Sequence, residues 1–460
     1  MSPETSEAPA LDEKFGLNPD FVGKILDALD AGDARSVRRQ IAELKPPDLA
    51  DLLSLVRPAE RSALIHILGQ ELDPEALAEL DAEVRDQVVE ELGPKALAAA
   101  VQELDSDDAI YVLEDLPEER REEVLAHVSS EERTALEEGL AAEEGTAARL
   151  MQREFITVPS YWSVGQTIDY LRETRELPEE FYEIFVVDGA LQPVGTVPLS
   201  RVLRNRRPVM IGGIMDKEPH LIPINMEQEE IAYVFDQYNL VSAAVVDKGG
   251  RIVGMLTIDD IVDVIAEEAE HDLFALSGVG AESLADNVVK TTRQRFSWLF
   301  VNLATALLAS AVIGLFGGTI EKFVALAVLM PIVASMGGNA GTQTLTVAVR
   351  AIATKELTPT NAIRIVWREA LVGSLNGLLF ALIMGAIAGI WFNSANLALT
   401  IGIAMVVNLI AAGLAGILVP LALERAGADP AISSTVFVTT VTDCVGFFVF
   451  LGLATWVLMA

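Results

Sequence analysis

The sequence predicts a multi-domain membrane protein. It reads as an all-α superhelical N-terminal domain, an α/β pair of tandem repeats, a linking helix and a five-helix transmembrane domain. Three observations predict this. First, 51% of the 460 residues are hydrophobic, yet the formal net charge is −34. Residues 296–460 hold six basic and six acidic side chains, so the whole excess falls on residues 1–295. Second, one strand–helix–strand frame occurs twice between residues 147 and 266. Third, five apolar runs follow, each long enough to cross a hydrocarbon layer about 30 Å thick.

Residues 1–16 are small, polar and acidic, and are expected to be disordered. They have neither the basic start nor the apolar core of a signal peptide, so the soluble part is expected in the cytoplasm. Residues 17–143 read as short helices. Segments such as PPDLADLLSLV, RPAERSALIHIL and GPKALAAAVQEL carry Pro at their first or second position, and SDDAIYVLEDL and SSEERTALEEGL start with Ser. Such starts, with acids in the first turn, are N-terminal helix signals. Their close, regular spacing predicts a superhelical stack.

Residues 144–266 alternate strand-like and helical runs. In the first copy a Met-led segment and the helical run VGQTIDYLRE precede EIFVVD and VGTVPL. In the second, QEEIAYVFDQYN precedes SAAVVD and VGMLTI. The frame resembles a tandem pair of CBS domains. That resemblance implies a regulatory module whose cleft can hold ATP or another adenine nucleotide, with Thr257 and Asp260 near a ribose.

Residues 267–295 are the expected linking segment. The helix that enters it carries Asp260, Asp263, Glu267, Glu268, Glu270 and Asp272. Like charges at i,i+3 and i,i+4 repel on a bare helix, and divalent cations would relieve them. A solvated acidic face is the alternative reading.

The five expected spans are Trp298–Gly318, Phe323–Val349, Ala370–Trp391, Leu397–Leu423 and Ile432–Met459. With the N-terminus inside, the two inner loops carry five Lys or Arg and the outer loops one, which satisfies the positive-inside rule. Ala460 is then outside, and the chain is a multi-pass protein of the plasma (inner) membrane, embedded in the lipid bilayer. The second span holds Pro331 and then Gly337, Gly338, Asn339, Gly341 and Gln343. Glycines and amides at that depth suggest a bent or locally opened helix, with close helix packing through small residues as the alternative. In the fifth span Asp443 is the only acid, roughly 18 Å from the start of the run if helical. A carboxylate there faces water, a partner or an ion, or is protonated and bonds a neighbouring helix. Thr439 and Thr440 lie one turn before it. Asn376 and Asn408 are expected to bond between helices.

Several classes are excluded. A surface this acidic repels phosphates, so no nucleic-acid partner is expected. The single cysteine, Cys444, allows no disulfide framework, and the four histidines lack zinc-ligand spacing. The chain has no nucleophile–base pair and no phosphate-cradling Gly loop, so it is not read as an enzyme. A mid-pore carboxylate disfavours an anion channel.

The order of these pieces, with P-x5-GGNAGTQ in the second span and TDCVG in the fifth, resembles the MgtE family of magnesium channels over residues 17–460. The resemblance implies a Mg2+-selective channel, gated by Mg2+, that takes up magnesium. It implies a homodimer whose pore is lined by the second and fifth spans at Pro331, Gly337, Gly338, Gly341, Gln343, Thr439 and Thr440. Asp443, with Asn339, would hold a hydrated Mg2+. Cytosolic Mg2+ would close the pore by binding between the helical domain, the CBS pair and a linking "plug" helix. The matching residues here are Glu75 and Asp107, Glu227 and Glu229, and Asp260, Asp263 and Glu268. Two acids expected from the family are Tyr111 and Asn239 in this chain. The alternative is a carrier that couples divalent cations (Mg2+, Co2+, Mn2+) to H+ or Na+. The lack of a clear second intramembrane acid favours the channel.

Overall fold

Short helices that begin at proline or at a capping side chain build the first part of the chain. The computed structural model describes residues 10–11, 16–175, 177–178, 181–279, 288–431 and 434–459. Most of the segment expected to be disordered, and residues 280–287 of the expected linking segment, lie outside the described residues. The chain divides into two units, Met1–Val264 and Ile265–Ala460.

In the first unit nine α-helices are described between Pro19 and Leu140. They are Pro19–Asp30, Ala34–Ile41, Pro46–Leu55, Pro58–Leu68, Glu75–Ala78, Ala82–Val101, Ser106–Glu114, Glu118–Leu125 and Ser130–Leu140. Asn18, Asp33 and Ser129 each accept a first-turn backbone N–H, satisfying donors a helix start leaves orphaned. Pro19, Pro46 and Pro58 occupy first-turn positions where no N–H is needed. The Ala82–Val101 helix is broken at Gly93, whose φ of 72° only glycine adopts freely, followed by Pro94. From the Ala34–Ile41 helix onward, each helix touches the one two further along. That alternation makes a two-layered superhelix around Ile25, Val37, Leu52, Leu64, Leu77 and Leu113.

Two three-stranded sheets follow. In the first, β1 (Thr157–Pro159) runs parallel to β2 (Glu183–Val187), which pairs antiparallel with β3 (Pro193–Pro198). In the second, β4 (Leu221–Pro223), β5 (Ser242–Val246) and β6 (Ile252–Thr257) repeat that order. Each middle strand carries a register shift at its last Val-Val pair. The Met and Val-Gly of the frame now have a reason. Gln152 bridges to Met255 of the second repeat, and Asp216 to Thr196 of the first. A Cβ on Gly254 would lie 2.7 Å from the Met151 sulfur, and one on Gly195 2.3 Å from the Asp216 carbonyl. The glycines let the segment ahead of each repeat's first strand bridge to the other repeat's last strand.

In the second unit five helices are long and apolar enough to cross a membrane: Val288–Gly314, Ala325–Ala353, Ala362–Phe392, Ala395–Arg425 and Thr435–Leu458. The fourth is central, buried along much of its length and touching the second, third and fifth. The third begins at Ala362, eight residues before the expected start, and so includes Glu369, which corrects the expectation that the spans hold no clear acid besides Asp443. The second corrects an expectation: Ala325–Ala353 is one unbroken α-helix through Pro331 and the glycines. Close packing wins over opening there. A Cβ on Gly337 would meet Asn408 Nδ2 at 2.2 Å, and one on Gly341 would meet Val438 Cγ1 at 2.5 Å.

Candidate metal centres

Acids from two parts of the first unit converge. The Ser106–Glu114 helix brings Asp107 and Asp108, with Asp105 just before it. The short Glu75–Ala78 helix brings Glu75, with Glu79 one turn later. Asp259, Asp260 and Asp263 come from the Ile258–Ser277 helix that leaves β6. Burial and the charge of Asp260 raise Asp107 well above the usual carboxylate range. The same two causes, with Asp105, Glu79 and Glu75, hold Asp108 at about 7. Burial lifts Asp260 to about 6, opposed by a hydrogen bond from Thr257. Burial is also the first cause raising Asp105, Glu79 and Asp263, with Asp263 adding to Glu79. Desolvation and like charges both penalise the ionised forms, and a divalent cation reverses both penalties.

One atom points to an absent partner. Asp107 is buried, and its Oδ1 accepts the Asp108 N–H at 3.0 Å. Its Oδ2 is buried without a hydrogen bond. Among the described residues no three ligand-type side chains converge closely enough to coordinate one bare ion. A Mg2+ that keeps part of its water shell needs only one or two carboxylates, and these pairs can supply them.

Of the acids expected to sense Mg2+, the structure brings Glu75, Asp107, Asp260 and Asp263 into this cluster. Asp105, Asp108 and Glu79 join them unforeseen. Their signals were the run DSDD and the one-turn spacing from Glu75. Glu227 and Glu229 are exposed at the start of the Gln228–Tyr238 helix. Glu268 lies in the second unit, where its charge adds to that on Asp272. Thr257 is buried and donates its hydroxyl to Asp260. The group expected at a ribose is thus engaged within the protein.

The two departures from acidic residues have physical explanations. Asn239 caps the Gln228–Tyr238 helix at φ 53°, ψ 48°, a left-handed conformation that Asn tolerates. Tyr111 lies under the buried Arg85 guanidinium, 3.8 Å from ring centroid to Cζ.

In the second unit the exposed stripe of the Ala325–Ala353 helix reads Pro331, Ser335, Asn339, Gln343. The third span exposes Leu371, Leu375, Leu378, Leu382 and Ile390, the composition lipid requires. The second span's stripe is polar and calls for water or a protein partner instead. Gly337 and Gly341, expected on the pathway, are buried against the fourth and fifth spans, because only a missing Cβ admits Asn408 and Val438. Gly338 lies near Thr439, whose Cγ2 would be 3.9 Å from an added Cβ. That contact sets the two motif-bearing helices side by side.

Asp443 is half-buried in the Ser434–Met459 helix, and among the described residues its carboxylate makes no hydrogen bond or ion pair. Thr439 and Thr440 donate to the carbonyls of Thr435 and Val436, leaving hydroxyl oxygens free to accept from a hydration shell. Thr439 opens on a cavity of about 370 Å3 that Arg295, Trp298, Asn302 and Thr435 also line. Asn408 donates to the Val333 carbonyl at 2.9 Å, the expected inter-helix bond. Asn376 is exposed on the third span and makes no such bond among the described residues.

Known proteins share this arrangement. Residues 330–453 match the MgtE family profile, described as a divalent cation transporter. Residues 44–145 match the MgtE intracellular N domain, and residues 147–207 and 211–267 match CBS domains. The magnesium transporter MgtE of Thermus thermophilus is 30% identical over 452 residues, 94% of this chain and 98% of the relative. That of Enterococcus faecalis is 30% identical over 325 residues, 71% of this chain and 72% of the relative. That of Bacillus subtilis is 25% identical over 437 residues, 95% and 97%. A crystal structure of the cytosolic domain of the Mg2+ channel MgtE in complex with ATP superposes with TM-score 0.50 at 26% identity. It covers 53% of this chain and 99% of that one.

Proposed function

The chain belongs to the MgtE family of magnesium transporters, and from that premise we propose that it is a Mg2+-selective channel, a homodimer, closed by Mg2+ bound on its acidic N-terminal half. Asp443 carries the reading: a half-buried carboxylate, alone in an otherwise uncharged span. Mg2+ dehydrates reluctantly and is held through its waters. Two Asp443 carboxylates related by a two-fold axis, with Asn339 and Gln343 from the polar stripe, would bond that hydrate and select by its size and charge. The polar stripe supports the dimer, since a second copy would cover it.

Gating follows from the acidic cluster. Without Mg2+, Asp107, Asp108 and Asp260 repel. With it, the helical bundle and the CBS pair are bridged, which favours one closed arrangement in proportion to the difference in affinity. The helix carrying Asp260 continues in sequence toward the first span, so the state of the cluster reaches the pore along the chain. The ATP complex of the related cytosolic domain supports an adenine nucleotide in the CBS cleft as a second ligand. The N-terminal half is cytoplasmic in this reading.

The test is Mg2+ flux into proteoliposomes at clamped potential, without an H+ or Na+ gradient. Wild type is expected to conduct, and Asp443→Ala and Asp443→Asn to lose most of the flux. Flux only with an imposed H+ or Na+ gradient would make the protein a coupled carrier.

A further inference from the structure

The third span contains a carboxylate outside the motifs. Glu369 is the eighth residue of the Ala362–Phe392 helix, about 10 Å along it. It is half-buried, and none of the ion pairs among the described residues includes it. Its Oε2 accepts from Thr344 Oγ1 at 3.3 Å. Thr344 ends the Ser335–Thr344 polar stretch of the second span, directly after Gln343.

The fourth span is shaped to this contact. A Cβ on Gly413 would meet the Glu369 carbonyl at 3.0 Å, and one on Gly416 would meet Thr344 Cβ at 2.8 Å. These glycines are three apart, so they share one helix face. The fourth span thus packs closely on the backbone of Glu369 and on the Cβ of Thr344, the two residues that the carboxylate–hydroxyl bond joins. An acid retained in a spanning helix without a counter-charge serves an ion or proton path by default.

We propose that Glu369, oriented by Thr344, is a second carboxylate station for the divalent cation, separate from Asp443. The inference rests on the transport reading above. The second and fifth spans run antiparallel: Leu326, Leu329 and Val333 share a cluster with Phe450, Leu451 and Ala454, while Leu345 and Val349 share one with Val438. Thr344 is therefore level with the start of the fifth span, about two turns from the depth of Asp443. A hydrated cation leaving one carboxylate would meet the next, and successive sites of moderate affinity permit both entry and release.

The competing role is a helix latch, and two substitutions separate the roles. Glu369→Gln keeps an oxygen for Thr344 to donate to and removes the charge. Glu369→Asp keeps the charge and withdraws it from Thr344. Full-length protein in proteoliposomes is assayed for Mg2+ influx with a trapped indicator, beside Asp443→Ala. A station predicts that Glu369→Gln raises half-saturating Mg2+ about tenfold while Glu369→Asp stays within about threefold of wild type. A latch predicts the reverse order, and that order overturns the proposal. Should Glu369→Gln fail to fold, Glu369→Asp alone decides, because a transport defect in it contradicts the station. If Asp443→Ala loses flux and Glu369→Gln is normal, only this proposal fails. If Asp443→Ala also transports normally, the transport reading itself falls.

Discussion

Asp108 and Asp260 approach from different folding motifs, one on a helix of the N-terminal bundle and one on the helix that ends the second repeat, and the charge of Asp260 raises the pKa of Asp108. With Asp108 at about 7 and Asp260 at about 6, both lie above the ordinary 3.8. A carboxyl raised in the folded chain contributes stability that is fully present below its ordinary pKa and lost as pH rises through the folded value. In Mg2+-free buffer the thermal midpoint of the detergent-solubilised protein is therefore expected to fall by roughly 3–6 °C between pH 5 and pH 8. Saturating Mg2+ should recover most of that loss at pH 8 and add little at pH 5. An equal Mg2+ effect at both pH values would contradict the arrangement.

Asp108→Asn follows from the same repulsion. The substitution removes one buried charge and keeps the shape. In Mg2+-free buffer at pH 8 it should stabilise the protein by about 1 kcal/mol. It should also reduce the further rise that Mg2+ produces, since one of the bridged carboxylates is gone. Mg2+ titrations followed by thermal melting measure both effects. An unchanged Mg2+ response would remove Asp108 from the cation site.

Arg85 offers a test of the bundle itself. Its side chain is 2% exposed and donates to Asp115 Oδ2 at 2.6 Å. Its Nε and Nη1 are buried without hydrogen bonds, a cost that offsets part of the ion pair and the contact with Tyr111. Asp115 is half-exposed and rehydrates when the arginine is lost. Arg85→Met, which fills the volume and removes the orphaned donors, is expected to cost only about 1 kcal/mol, and Arg85→Ala about 2–4 kcal/mol because it also leaves a cavity. Denaturant or thermal unfolding of the two variants measures the difference. Equal losses would mean that charge, not packing, dominates at this position.

The architecture was legible because its signals are local. Prolines and capping residues mark helix starts, and apolar runs set the spans. The Met and Val-Gly frame recurs because a glycine in each last strand must admit the Met-led segment that opens the other repeat. The acidic cluster was legible only in part. Asp107 and Asp260 were singled out by family resemblance, while for Asp105, Asp108 and Glu79 the run DSDD and the one-turn spacing from Glu75 mark only acidic faces, and that these faces meet Asp260 depends on how helices distant in sequence pack. The second span misled for a similar reason. Gly337 and Gly341 look like an opened helix until Asn408 and Val438 are seen against them. Glu369 was missed because the third span was started at Ala370; its hydrogen bond to Thr344 and the glycines that admit it lie in other helices.

That tight contact gives the last expectation. Asn408 is fully buried, and its amide is fixed by the bond to the Val333 carbonyl. A methyl group on Gly337 would lie 2.2 Å from Asn408 Nδ2, so the amide must move and give up its acceptor. Gly337→Ala should therefore destabilise the protein by about 1–3 kcal/mol. Asn408→Ala alone should also destabilise, by leaving a cavity. The double variant Gly337→Ala/Asn408→Ala relieves the clash and partly fills the space. It should be more stable than the sum of the two single losses requires, by at least about 0.5 kcal/mol. Thermal melting of the four proteins in one detergent gives the coupling. Strict additivity would mean that the second and fourth spans do not meet at these residues.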